Sequence, residues 1–187
     1  MNVLQVGLGE RSYPITIEPG CFGRVATELA EHYPASRYCI IADDQVAELY
    51  GTKLQQSIIA LGLRCDLLDF PRGERHKHLG TVGSLISRAA QHGVDRGSMF
   101  IALGGGVSGD VGGFVAATYM RGVPFIQIPT SLLAQVDSSV GGKTGVDIPA
   151  PRARTWSAPS TSPRRSLLTR RCSRPCRRKS SSTVWRK

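Results

Sequence analysis

The segment Arg121–Val146 reads RGVPFIQIPTSLLAQVDSSVGGKTGV and places Asp137, Ser138, Ser139, Gly141, Gly142 and Lys143 within seven positions. Hydroxyls, glycines and one lysine at that density suit a highly charged oxyanion. Lysine acts as a point charge, and glycine lets backbone N–H groups come close. Without a helix or strand period such residues gain little from packing, so a purely structural role accounts for them poorly.

A second segment, Phe100–Asp110 (FIALGGGVSGD), is an apolar run entering a glycine-rich turn, with Val111–Tyr119 reading as a helix beyond it. Backbone N–H groups in such a turn can meet a pyrophosphate at a helix N-terminus, where the dipole favours negative charge. Gly105, Gly106, Val107, Ser108, Gly109 and Asp110 are therefore candidate cofactor-binding residues. Gly104, Gly106 and Gly109 fit GxGxxG, but on a late strand and without the downstream acidic residue of the dinucleotide fingerprint. Tight packing of a strand against a helix accounts for the same glycines.

Two charged groups stand at other strand ends. Asp43 and Asp44 follow RYCIIA, at the sheet edge where open α/β folds bind ligands. A carboxylate there takes ribose hydroxyls or, alternatively, caps a helix. Gly73-Glu74-Arg75-His76-Lys77 follows CDLLDF, and its mixed charges either orient a ribose or nicotinamide or form a solvated loop.

The elements that must hold these residues follow from periodicity. Arg37–Ala42, Cys65–Phe70, Ser98–Leu103 and Phe125–Pro129 read as strands, with helical spacing in Gln45–Leu61 and His78–His92 between them. A short apolar helix is expected after Pro129-Thr130-Ser131. That alternation predicts an α/β fold, a Rossmann-like parallel sheet with helices on both faces. Val3–Leu8 and Tyr13–Ile17 alternate and predict a hairpin at the edge.

Charge divides the chain. Of 24 Lys and Arg, 12 lie in residues 151–187, which hold no Asp or Glu, so residues 1–150 carry 12 basic and 14 acidic side chains, a net of −2. Residues 1–150 thus form the expected domain. Residues 151–187, rich in Arg, Ser and Pro and without a period, are expected to be a disordered basic tail. The scattered Cys21, Cys39 and Cys65, the lack of a signal peptide and the lack of a long apolar run point to a cytoplasmic protein with no membrane partner.

The strings GERHK, ALGGGVSGDVGGF and YMRGVPFIQIPTSLLAQVDSSVGGKTGVD, in that order, resemble the 3-dehydroquinate synthases, over essentially all of residues 1–150. The resemblance implies NAD contacts at Asp43, Glu74, Lys77, Gly105, Gly106, Val107, Asp110, Thr130 and Ser131, and substrate contacts at Arg121, Asp137 and Lys143, with Lys143 also near the cofactor. It implies a sugar-acid phosphate substrate, 3-deoxy-D-arabino-heptulosonate 7-phosphate, converted to 3-dehydroquinate with loss of phosphate in the shikimate pathway. A hydroxyl is oxidised by hydride transfer to NAD, phosphate is eliminated, the ketone is reduced again, and ring opening with aldol closure gives the carbocycle. The family also implies a homodimer and a divalent metal, Zn or Co, held by a Glu and two His of a C-terminal helical domain.

The resemblance ends at Ile148-Pro149-Ala150, where the family continues G-K-N-x-x-G-A-F. Joining each tail codon's third base to the next two bases permits G-K-N-L-V-G-A-F-H-Q-P over Arg152–Pro163. The same frame permits K-A-V-F-I-D-P-A-V-L-E-T-L-P through Arg164–Arg177 and G-M-A-E over Thr183–Lys187. The tail is therefore read as frame-shifted, with the metal ligands absent from the chain as written and synthase activity not expected of it. Two other readings stand beside this one: a different sugar-phosphate cyclase, of the 2-deoxy-scyllo-inosose or 2-epi-5-epi-valiolone synthase type, and a basic-tailed nucleic-acid-binding protein. The tail offers the latter no folded stacking platform, so no nucleic-acid partner is expected.

Overall fold

The computed structural model describes residues 2–7, 9, 12–148, 156–157 and 165–170. One sheet of seven strands runs through them in the order β1-β2-β9-β6-β5-β3-β4. Its strands are β1 (Asn2–Val6), β2 (Tyr13–Pro19), β3 (Tyr38–Asp43), β4 (Cys65–Phe70), β5 (Met99–Gly104), β6 (Phe125–Pro129) and β9 (Arg165–Arg170). β1 and β2 form the antiparallel hairpin predicted for the edge, and every other pairing in this sheet is parallel. A two-stranded ribbon, β7 (Gly145–Val146) with β8 (Trp156–Ser157), stands apart from it.

Alternation along the strands separates two apolar layers. Cys39, Ile41, Phe100 and Phe125 point to one face, under α4 (Leu79–Gln91) and α5 (Gly106–Thr118). Ile40, Ile101, Ile126 and Ile128 point to the other, under α1 (Val25–His32) and α3 (Thr52–Ile59). All six residues of β5 are buried, as a central parallel strand requires. The predicted four strands and the two-faced helical cover are therefore present. Between β3 and α3 the predicted Gln45–Leu61 helix is interrupted: α2 (Asp44–Val46) passes through a π-helical turn, Ala47–Gly51.

Sequence and structure differ in two further places. α5 begins at Gly106 rather than at Val111, because burial on nearly every side compensates the poor helix propensity of its glycines. The composition of the tail predicts no regular element, yet Trp156–Ser157 and Arg165–Arg170 are strands. β9 fills the gap between β2 and β6, pairing Ile15 with Ser166 and Ile126 with Arg165. Ladder bonds come from the backbone, so two open strand edges attract a segment whose side chains give no strand pattern. The rest of 151–187, and with it most of the disorder and frame-shift expectation, lies outside the described residues.

Candidate functional site

The carboxyl ends of β3, β5 and β6 meet at one edge of the sheet. β5 ends in Gly104, whose carbonyl accepts the Thr130 N–H at 2.8 Å and so ties the end of β6 to the glycine turn. A Cβ added at Gly104 would fall 2.4 Å from Ser108 Oγ, and the backbone there has φ +147°; the turn accepts only glycine. α5 starts immediately after Gly105 with no side chain capping its first turn. The N–H groups of that turn, from Gly106 to Ser108, are the donors an anion would meet. Ser131 and Ser138 close over it, since added Cβ atoms at Gly105 and Gly106 would lie 3.5 Å and 3.3 Å from their hydroxyls.

Asp43 and Ser108 are hydrogen-bonded partners here. Asp43 Oδ1 accepts the Val46 N–H at 3.0 Å, and Oδ2 accepts the Ser108 hydroxyl at 3.0 Å. Asp43 thus caps α2, the alternative held open from sequence, while standing at the predicted strand end. The Ser108 side chain is fully buried and turned into the protein, so only its backbone N–H remains for a ligand. Gly109 N–H is spent on the Gly105 carbonyl at 3.0 Å, inside the helix, which removes Gly109 from the direct donors.

One turn further along α5, Asp110 takes a salt bridge from Lys77 at 2.6 Å, and Glu74 stands 3.6 Å from the same ammonium. The 3₁₀ turn Glu74–His76 delivers these groups from the end of β4. Burial pushes the Asp110 carboxyl above the ordinary carboxylate range, more than Lys77 pulls it down. Burial also works against the charged form of Lys77, but Asp110, Glu74 and Asp147 together hold its pKa above the usual lysine value. Asp147, which sequence reasoning did not single out, donates its N–H to the Lys77 carbonyl at 2.8 Å and bridges to His78. A cleft of about 730 Å³ opens beside this cluster, lined by Glu74, Lys77, His78 and Asp147.

The three residues expected to hold substrate stand on three different segments. Arg121 stands past the C-terminal end of α5, about 20 Å along a 13-residue helix from the glycine turn. Arg121 precedes β6, whose amino end lies at the other end of the strands from the glycine turn. Asp137 lies on the π-helical turn Ala134–Ser138, and Lys143 on the loop before β7; both are exposed. Among the described residues no ion pair joins any two of Arg121, Asp137 and Lys143.

The described residues fit a dinucleotide: an uncapped helix N-terminus, glycines that a Cβ would block, and a carboxylate–ammonium pair beside them. They do not fit a catalytic metal ion. Among them no group of three or more His, Cys, Asp or Glu side chains is placed to hold one. Nor is any described helix long and apolar enough to cross a membrane.

Residues 67–155 match the family model described as 3-dehydroquinate synthase N-terminal. The 3-dehydroquinate synthase of Pelobacter propionicus is 46% identical over 149 residues, which make up 80% of this chain and 42% of that protein. That of Desulforamulus reducens is 50% identical over 147 residues, 79% of this chain and 41% of that one. Among solved structures, a 2-deoxy-scyllo-inosose synthase complexed with carbaglucose-6-phosphate, NAD+ and Co2+ is similar, with a TM-score of 0.77 and 25% identity, covering 90% of this chain and 46% of that chain. The chain spans about two fifths of the length of the curated relatives it matches.

Proposed function

We infer, from the premise that residues 67–155 of this chain belong to the 3-dehydroquinate synthase N-terminal family, that the chain is the NAD-binding half of such a synthase. The observation that carries the inference is the uncapped N-terminus of α5 at the carboxyl edge of the sheet, with Thr130 and the Lys77–Asp110 pair around it. The N–H groups of Gly106, Val107 and Ser108 would take the pyrophosphate. Glu74, Lys77 and Asp110 would meet a ribose, and Thr130 and Ser131 the far side of the turn. NAD, when bound, supplies a hydride acceptor for a substrate hydroxyl. The protein's part is to hold the dinucleotide rigidly and to place a cation, Lys143, where a phosphate leaves.

The reaction proposed for the whole protein is conversion of 3-deoxy-D-arabino-heptulosonate 7-phosphate to 3-dehydroquinate, in the cytoplasm and as a homodimer. Identity of 46–50% to 3-dehydroquinate synthases, against 25% to the 2-deoxy-scyllo-inosose synthase, favours this branch over the other cyclases. The divalent ion recorded with that structure finds no fitting group among the described residues here, and no step is assigned to one.

Calorimetric titration of NAD into the chain tests the reading. Binding should weaken at least tenfold in Lys77→Ala and Asp110→Ala and stay unchanged in Asp44→Ala, whose exposed carboxylate faces Arg72. No binding to the folded chain at millimolar NAD would overturn it.

A further inference from the structure

We propose that Tyr13, on the N-terminal hairpin, is a positioning residue for the loop that carries Lys143. Its hydroxyl oxygen accepts the Gly141 N–H at 2.7 Å, across 128 residues of sequence. The ring is 1% exposed and packs with Ile15, Val6 and Ile17, so the hydroxyl is held by a fixed strand rather than by a mobile side chain. Tyr13 is also pinned lengthwise, paired with Val6 at the end of the β1–β2 ladder.

What it holds needs holding. The π-helical turn closes with Ser139 N–H and Val140 N–H on the Ala134 and Asp137 carbonyls, at 3.1 Å and 2.9 Å. The chain then reverses through Gly141 (φ +101°) and Gly142 (φ +68°), two successive residues in the left-handed region. Two glycines in a row give a segment with many alternatives in reach, and fixing one of them is entropically expensive. Lys143 follows directly, exposed and with no ion pair among the described residues to orient it. Downstream, Thr144 is buried against Gly113 and fixes the loop again. On the backbone between Val140 and Thr144, the Tyr13 hydroxyl supplies a side-chain hydrogen bond at Gly141. It selects the conformation from which Lys143 projects.

This role deepens the proposed function and rests on its assignment of Lys143 to a phosphate; two readouts separate the two claims. In the 187-residue chain, Tyr13→Phe keeps the buried ring and deletes only the acceptor. Amide hydrogen exchange at Gly141 should accelerate at least tenfold in that variant, while the Ile15 and Ile17 amides stay protected. Inorganic phosphate, titrated by NMR, should bind several-fold more weakly to Tyr13→Phe and weaker still to Lys143→Ala. Unchanged Gly141 exchange overturns the proposal, and so does faster exchange with phosphate affinity intact. If wild type and Lys143→Ala are alike in failing to bind phosphate, the phosphate assignment falls, and Gly141 exchange alone then judges whether Tyr13 fixes the loop.

Discussion

Ser108 and Asp43, 65 residues apart, are joined by a hydrogen bond of 3.0 Å that locks the glycine turn after β5 to the end of β3. The same carboxylate caps α2 through Val46. Asp43→Ala should therefore lose a helix cap, about 0.5–2 kcal/mol, and strand a buried hydroxyl, about 1–3 kcal/mol. Asp43→Asn keeps the cap, and Ser108→Ala removes only the cross-strand bond, each at about 1 kcal/mol. Urea unfolding of the double-mutant cycle should give a coupling of about 1 kcal/mol. Additive single mutants would show that the two side chains do not interact in solution.

Asp110 should titrate above the ordinary carboxylate range, since burial outweighs the pull of Lys77. A carboxyl raised in this way favours the fold below its unfolded pKa, and that increment is lost as the pH rises through its folded value. Lys77, raised by its acidic neighbours, stabilises the fold up to alkaline pH and ceases to do so as the pH passes its own folded value. Carboxyl NMR titration of Lys77→Met should move the Asp110 midpoint further upward, because only desolvation and repulsion by Glu74 and Asp147 remain. A midpoint that stays put or falls would refute the coupling.

Gly113 marks the closest approach of α5 to the loop before β7. A Cβ there would lie 2.2 Å from Thr144 Cγ2. Gly113→Ala should destabilise by about 1–3 kcal/mol through overpacking. Thr144→Ser deletes the obstructing methyl, so it should cost stability alone, about 1 kcal/mol, yet restore part of the loss in the double mutant. Thermal denaturation of the four proteins decides this; strictly additive losses would place the helix and loop further apart.

The thiols of the sheet should be inert in the native state. Burial pushes the Cys65 thiol up to about 12 and Cys39 higher still, and both side chains are closed off from solvent. Peptide mapping after iodoacetamide treatment at pH 8 should find both unmodified until denaturant is added. Rapid native labelling at Cys39 would mean that β3 opens far more readily than its burial implies.

The strands were legible because a central parallel strand is rich in apolar and β-branched residues: Phe100–Leu103 is a continuous apolar run, and Phe125–Ile128 is broken only by the buried Gln127. The glycine turn was legible by composition and position. Strand order was not, since no local signal says that β3 lies beside β5, and the Asp43–Ser108 bond depends on that adjacency. The separation of Arg121 from the glycine turn was hidden for a related reason: sequence proximity to the Ser131–Lys143 segment conceals the reversal of direction that α5 imposes. Tyr13 carries no such signal in sequence, because a strand tyrosine at an apolar position reads as core and its partner Gly141 is set only by the fold.

The placement of β9 has a kinetic consequence. The hairpin β1–β2 is joined to the rest of the sheet through a strand that begins at Arg165, and Ile15 meets Ser166 across 151 residues. During synthesis from the N-terminus, that hairpin emerges well before residues 165–170, and its ladder to the sheet closes only once they have been made. In the interval β2 and β6 both present unpaired edges, the form in which strands recruit neighbours from other chains. The hairpin's ladder to the sheet thus depends on a segment made much later, and the yield of folded protein should depend on how quickly residues 165–170 arrive.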